Sequence, residues 1–375
     1  MSKNAKTQSF QFHPLELSIV GYSGVGKTTL IEKLIDDLKS RWAIAYVKHD
    51  AHRFQMDREG KDTFRARAAG ADAIYIADAS QSALLGAQPS FFLQKSLFFD
   101  QDAALIEGYK SLSIPKLIVL GEDRSILEEV QSLENVLAFI GAEVSRPDYL
   151  STQSPYFHRD DHKAISSLIE NFWLSKIQAR PLRALILAGG RSERMGRDKA
   201  LISYQGQPQF ARLYTELWAL DLKPVISLRE DQWPELDLNA YTLLKDRFLG
   251  LGPLGGILTA LHDEPNTAWL VVACDLPLLD KFTIQNLIAS RDPLKCATAY
   301  RSTTDGLPEP LCAIYEPKMK MRLHEALSLG YSCPRKVLIN TASHIIDSVN
   351  PDALANANTP DDYSRYAKAF QEFHS

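Results

Sequence analysis

The sequence predicts two α/β domains, each built on a largely parallel sheet with helices on both faces. Three observations carry this expectation. The chain has 375 residues, too many for one ordinary domain and comfortable for two. Residues 15–20 and 183–188 share one local plan, in which an apolar strand runs into a glycine-rich turn and then a helix. Strand runs also alternate with helical stretches through both halves.

Composition narrows the class. Hydrophobic residues make up 45% and charged residues 23%, a globular balance. With 42 basic and 46 acidic residues the net charge is −4, which argues against a nucleic-acid protein held by a broad basic surface. No apolar run approaches the roughly 20 residues of a membrane helix. Residues 1–14 are polar and read as a flexible N-terminus, not a signal peptide. The expected location is the cytoplasm, without a membrane partner. Cys274, Cys296, Cys312 and Cys333 form no C-x-x-C pair and read as reduced thiols.

In the first half, Gly21-Tyr22-Ser23-Gly24-Val25-Gly26-Lys27-Thr28 fits G-x-x-x-x-G-K-[ST] in full. The strand 15–20 precedes it, and a helix continues from Thr29 to residue 38. The glycines let backbone N–H groups turn onto phosphate oxygens, and the helix N-terminus adds a favourable dipole. Lys27 is placed to reach the β- and γ-phosphates, and the Thr28 hydroxyl to bind Mg²⁺. A strand at 42–47 leads to Lys48-His49-Asp50-Ala51-His52, then Asp57 and Gly60-Lys61-Asp62-Thr63. That spacing is too sparse for a transition metal and suits an anion or subunit contact. The strand 103–106 ends in Glu107, a candidate magnesium-side carboxylate, and 116–120 is a further strand. Residues 160–177 read as a helix with apolar positions at Ile165, Leu168, Ile169, Phe172 and Trp173. Gln178-Ala179-Arg180-Pro181 breaks it, which sets the domains at 15–177 and 182–370.

These motifs, with Ala69-Gly70-Ala71 and Ile106-Glu107-Gly108-Tyr109-Lys110, resemble the MobB family over about residues 15–175. Those proteins are GTP-binding adaptors of molybdopterin guanine dinucleotide synthesis. The resemblance implies a P-loop NTPase-like fold, GTP bound at Gly21, Ser23, Gly24, Val25, Gly26, Lys27, Thr28 and Thr29, slow hydrolysis at best, and a homodimer through this domain.

In the second half, the strand 183–188 runs into Gly189-Gly190-Arg191-Ser192-Glu193-Arg194-Met195-Gly196-Arg197-Asp198-Lys199. This segment fits neither a P-loop nor G-x-G-x-x-G. Gly189 and Gly190 allow the backbone close to a triphosphate, while Arg194 and Lys199 can neutralise charge developing on departing pyrophosphate. The apolar run 268–273 ends in Cys274-Asp275-Leu276-Pro277. A carboxylate at the end of a buried strand needs a partner, and triphosphate-bound Mg²⁺ is a natural one. Lys245-Asp246 precedes Gly250-Leu251-Gly252-Pro253-Leu254-Gly255-Gly256, a loop able to bring backbone against a base. Strands are also expected at 224–228, 297–300 and 311–315, the last led in by Pro308-Glu309-Pro310. Arg335 and Lys336 are candidates for an acceptor phosphate, and Asn356 or Asn358 for the acceptor. Thr359 reads as the N-cap of a final helix.

Together these segments resemble the MobA family, the molybdenum cofactor guanylyltransferases, over about residues 181–368. The resemblance implies a Rossmann-like nucleotidyltransferase fold. It assigns GTP to Leu187, Ala188, Gly189, Gly190, Lys199 and Asp246, and both GTP and Mg²⁺ to Asp275. Members often carry an Asn near guanine where this chain has Ser227-Leu228-Arg229. The expected activity is transfer of GMP from MgGTP to Mo-molybdopterin, with a fused adaptor domain. Expected protein partners are a molybdenum insertion enzyme and molybdoenzyme apoproteins or their chaperones. The alternative is a sugar-1-phosphate nucleotidyltransferase fused to a P-loop NTPase or kinase.

Overall fold

The structure is a computed structural model that describes residues 10–49, 57–86, 91–122, 126, 135–150, 153–190, 198–204, 206–357, 359, 361–362 and 364–366. The chain divides into two units, Met1–Lys176 and Ile177–Ser375. Arg194, His52 and Asn358 lie outside the described residues.

The N-terminal unit holds β1 (Glu16–Val20), α1 (Lys27–Leu38), β2 (Ile44–Lys48), α2 (Asp62–Ala68), β3 (Ala73–Ala77), β4 (Ser82–Gly86), α3 (Phe91–Ser96), β5 (Ala103–Glu107), β6 (Lys116–Val119), β7 (Val136–Gly141), β8 (Tyr156–His158) and α4 (His162–Gln178). Its main sheet runs β2-β5-β1-β6-β7-β8 and every pairing is parallel. β1 and β5 are buried along their whole length, as central parallel strands covered on both faces should be. α1 buries Leu30, Ile31, Leu34 and Leu38, the apolar stripe of a helix lying on a sheet. β3 and β4 form a separate antiparallel hairpin.

Residues 10–14 of the expected flexible N-terminus are described and make contacts. The backbone N–H groups of Gln11, Phe12 and His13 donate to the Glu16 carboxylate at 2.7, 2.7 and 3.2 Å. Phe12 is buried, its ring against Phe98 and Tyr109. One buried apolar ring and one carboxylate accepting three donors thus engage a stretch that is polar on average.

The C-terminal unit holds β9 (Leu182–Leu187), a 3₁₀ turn (Lys199–Leu201), α5 (Gln209–Trp218), β10 (Val225–Leu228), β11 (Leu243–Lys245), α6 (Pro253–Asp263), β12 (Ala268–Ala273), α7 (Lys281–Ala289), β13 (Ala297–Arg301), β14 (Pro308–Tyr315), α8 (Met319–Ser328), α9 (Pro334–Ile339) and β15 (Ser343–Ile346). The sheet order is β11-β10-β9-β12-β14-β13-β15. Alternate residues of each central strand face opposite layers. Ile186, Leu270 and Val272 pack with Leu213 and Leu217 of α5 and Leu287 of α7. Leu185, Trp269 and Val271 pack with Ile257 and Leu261 of α6, Leu323 of α8 and Val337 of α9.

Helices thus cover both faces, but the sheet is mixed, because β14 runs antiparallel to both β12 and β13. Pro308-Glu309-Pro310, expected to lead into a strand, lies inside β14. Pro310 falls beyond the last β12 pair, Val272–Cys312, and at the register shift opposite Ala299–Arg301. Its missing N–H therefore meets a ladder already interrupted.

Candidate nucleotide sites

A cavity of about 780 Å³ opens where β9, β10, β11 and β12 end at their C-terminal edges. Ligands bind at this edge in open α/β sheets. Residues 187–190, Lys199, Asp246 and Asp275 all line it, so the described residues assigned to the second nucleotide site converge on one volume.

Asp275 leaves β12 with its carbonyl accepting from Ala357 N at 2.8 Å. Its Oδ2 lies 3.7 Å from Lys199 Nζ. Its Oδ1 is buried and has no hydrogen-bond partner among the described residues. Burial pushes the Asp275 carboxyl above the usual carboxylate range, while the Lys199 ammonium opposes that shift. An unsatisfied buried oxygen costs about 1–3 kcal/mol, and more when charged. One carboxylate together with substrate phosphate oxygens is a set that Mg²⁺ accepts. The residues present therefore fit that ion.

Asp246 follows β11, its N–H donating to Leu228 O at 2.9 Å. Ser227 Oγ donates to Asp246 Oδ1 at 2.6 Å. Burial raises the Asp246 carboxyl as well; the Ser227 hydrogen bond and the Arg229 charge hold it down. Two glycines make this corner possible. A Cβ on Gly189 would stand 2.9 Å from Asp246 Oδ2. One on Gly256 would stand 2.5 Å from Ser227 Oγ and 2.7 Å from Leu187 Cδ2. The Gly-Pro-Leu-Gly-Gly run is thus the cap and first turn of α6, begun by Pro253, with Gly256 leaving room for the Ser227 and Leu187 side chains of β10 and β9.

Ser227 and Arg229 line the cavity, whereas Leu228 is buried in the α5-side core. Sequence reasoning missed the role of Gln232 and Trp233, which sit in no motif. Their side chains bond Asp198 at 2.9 and 2.7 Å.

Arg335, considered for an acceptor phosphate, is engaged by carboxylates. It donates to Asp305 Oδ2 at 2.9 Å and to the buried Glu309 Oε2 at 3.0 Å. Burial raises the Glu309 carboxyl against the pull of Arg335, with the Asp275 charge adding to the rise. Lys336 Nζ stands 5.4 Å from the centre of the Tyr331 ring. Thr359 and Asp362 cap each other reciprocally, Thr359 N to Asp362 Oδ2 at 2.9 Å and Asp362 N to Thr359 Oγ1 at 3.2 Å.

In the N-terminal unit, Gly24 and Gly26 adopt φ of 81° and 89°, the left-handed region that turns the loop inward before α1. Ser23 and Val25 lie in that loop, and Thr29 in the first turn of α1. Thr28 Oγ1 donates to the Glu107 carboxylate at 3.0 and 3.1 Å. A hydroxyl paired with a carboxylate beside a phosphate loop is an oxygen pair of the chemistry Mg²⁺ accepts. Tyr46, which carries no sequence motif, donates to Glu107 Oε2 at 2.6 Å. The β2–β5 register sets Lys48 opposite Glu107, their charged atoms 3.8 Å apart. Lys27 Nζ donates to Tyr22 O at 2.8 Å. Burial lowers the Lys27 ammonium, Glu107 raises it and Lys48 lowers it further. His49 packs on Tyr109 with ring centres 4.5 Å apart, while Asp57 accepts from Thr63 Oγ1 at 2.8 Å near the start of α2. Among the described residues no group of three His, Cys, Asp or Glu is placed to hold a metal ion.

A mixed α/β sheet whose strands end on a cavity of about 780 Å³, large enough for a nucleotide and lined by a lysine and an aspartate, has the architecture of a nucleotide-binding unit. Residues 184–344 match the family described as MobA-like NTP transferase domain, and residues 16–142 the one described as molybdopterin guanine dinucleotide synthesis protein B. The molybdenum cofactor guanylyltransferase of Pseudomonas putida is 32% identical over 190 residues, 48% of this chain and 95% of that protein. The chain belongs to the molybdenum cofactor guanylyltransferase family. A molybdenum cofactor biosynthesis bifunctional protein of Synechocystis sp. is 38% identical over 189 residues; the match covers 50% of this chain and about half, 54%, of that protein. The molybdopterin-guanine dinucleotide biosynthesis adapter protein of Haemophilus influenzae is 38% identical over 112 residues, 28% of this chain and 61% of that one.

Proposed function

We propose that the C-terminal unit transfers GMP from MgGTP to Mo-molybdopterin, releasing pyrophosphate and forming the molybdopterin guanine dinucleotide cofactor. The observation that carries this reading is the convergence of residues 187–190, Lys199, Asp246 and Asp275 on one cavity. A phosphate oxygen of the acceptor attacks the α-phosphorus; the new P–O bond forms as the bond to the β-phosphate breaks, and pyrophosphate leaves. The acceptor phosphate is already ionised, so no covalent nucleophile is needed and positioning carries the rate. Asp275 would hold Mg²⁺, which neutralises phosphate charge and orients the triphosphate. Lys199, with Arg194 from the loop, would meet charge on the departing pyrophosphate. Ser227 and Asp246 would face the base.

The N-terminal unit binds GTP at its phosphate loop in this reading, with Thr28 and Glu107 on the magnesium side, and serves as an adaptor. The hairpin β3–β4 leaves Tyr75 and Leu84, paired across its strands, exposed on one face and Ile76 exposed on the other, apolar surface suited to a second copy of the unit. Molybdenum insertion enzymes and molybdoenzyme apoproteins or their chaperones are the partners we infer; nucleic acid is not among them. Among the described residues no helix is long and apolar enough to cross a membrane, and the cytoplasm is the proposed location.

GTP labelled at the α- or γ-phosphate separates this from a kinase. The α-label should enter the pterin product and the γ-label leave as pyrophosphate. Transfer of the γ-label to the acceptor would refute the proposal. Turnover of a sugar 1-phosphate in place of the pterin would support the alternative transferase.

A further inference from the structure

Both ends of the loop that follows β9 are tied together by the segment following β10. The Arg229 guanidinium donates to Gly189 O. Gln232 Nε2 donates to Ala188 O at 2.7 Å and to Asp198 Oδ2 at 2.9 Å, so one amide joins the loop's beginning to its end. Trp233 Nε1 donates to that same Asp198 oxygen at 2.7 Å. The other Asp198 oxygen accepts from Ala200 N at 3.0 Å and caps the 3₁₀ turn that opens with Lys199.

Trp233 holds this position at φ 59°, a conformation bulky L-residues rarely adopt. Its ring packs on Phe210 with centres 4.9 Å apart, and the indole N–H points at the carboxylate. Gln232 and Trp233 are both nearly buried, at 6% and 9% exposure. Neither lines the cavity, so their reach into it runs through Asp198 and the loop ends.

We propose that Gln232 and Trp233 are positioning residues that fix Asp198, and through its capped turn hold the Lys199 ammonium beside Asp275, where it meets the nucleotide's phosphates. This rests on reading the cavity as the NTP site. A lysine side chain otherwise samples many rotamers, and restricting it beforehand removes an ordering cost from binding.

The test is a double-mutant cycle on the full chain carrying Lys27→Ala, which confines GTP to the C-terminal site. Affinities for MgGTP and for GMP are measured with Gln232→Leu, Lys199→Ala and both together. Gln232→Leu should weaken MgGTP about five- to tenfold when Lys199 is present and less than about twofold in the Lys199→Ala background, the non-additivity expected of a residue acting through another. GMP, which lacks the β- and γ-phosphates, should change by less than about twofold in either background. Equal losses in both backgrounds, or parallel losses for GTP and GMP, would overturn the proposal and leave a packing role. Unchanged GTP affinity in Lys199→Ala alone would instead refute the NTP-site reading. Should Gln232→Leu fail to fold, Trp233→Phe runs the same cycle, since it removes the indole N–H and leaves a smaller aromatic ring beside Phe210.

Discussion

Lys199 Nζ stands 3.7 Å from Asp275 Oδ2, although one follows β9 and the other follows β12. The parallel pairing of those two strands, which sets Ala273 opposite Leu187, creates the proximity. The ammonium compensates one oxygen of the carboxylate, and the other remains buried without a partner among the described residues. Such a half-satisfied acid is expensive in a core and useful at a metal site.

Asp275→Asn should therefore lower pyrophosphate release by at least about 10²–10³-fold, the scale of removing one electrostatic stabiliser. The full chain should remain folded, judged by circular dichroism. Wild-type turnover in a folded Asp275→Asn protein would remove Asp275 from the metal role.

Burial raises Asp246, Asp275 and Glu309 above their ordinary range, which sets the sign of the pH dependence. A carboxyl raised in the folded state binds its proton more tightly there than in the unfolded chain. Its stabilising contribution is complete below the unfolded value of about 4 and is lost as pH rises through the raised folded value. Without nucleotide or Mg²⁺, these three groups should make unfolding of the C-terminal unit easier as pH rises above about 4. Asp275→Asn should flatten that slope in thermal melts. A slope that stays the same in Asp275→Asn would contradict the assigned cause.

The close approach at α6 is testable by one methyl group. Gly256→Ala places a Cβ 2.5 Å from Ser227 Oγ and 2.7 Å from Leu187 Cδ2, so those two side chains must turn away, which breaks the Ser227–Asp246 contact, or α6 must shift at the cavity wall. Overpacking of this kind costs about 1–3 kcal/mol. Lower GTP affinity together with a lower Tm is expected. Native values for both would show that the wall yields freely.

The two nucleotide sites should separate by mutation. Wild type should bind two MgGTP per chain and Lys27→Ala one, with transfer largely retained. Tyr46→Phe, which removes a 2.6 Å hydrogen bond to Glu107, should raise the Mg²⁺ concentration needed for binding at the first site several-fold. Loss of both binding events in Lys27→Ala would mean that the sites depend on one another.

The parts legible in sequence were those with a local cause. The phosphate loop, the strand-end Asp275 and the apolar runs of β1, β5, β9 and β12 announce themselves by composition and period. β11 and β15 did not, being strands of three and four residues with half-exposed positions. The reversal of β14 was hidden because direction is set by pairing rather than by residue type. Tyr46, Gln232 and Trp233 were invisible for a related reason. Each matters through one polar atom meeting a carboxylate far away in sequence, and nothing in its neighbours marks that.

Guanine selection is the most direct point of attack, because Ser227 and Asp246 form the corner assigned to the base. Pyrophosphate release should be measured on the purified chain with Mg²⁺ and molybdenum cofactor, comparing GTP, ATP, CTP and UTP. Release with GTP well above the other three is the predicted result. Equal release from all four, or release with another nucleotide in place of GTP, would contradict guanylyl transfer.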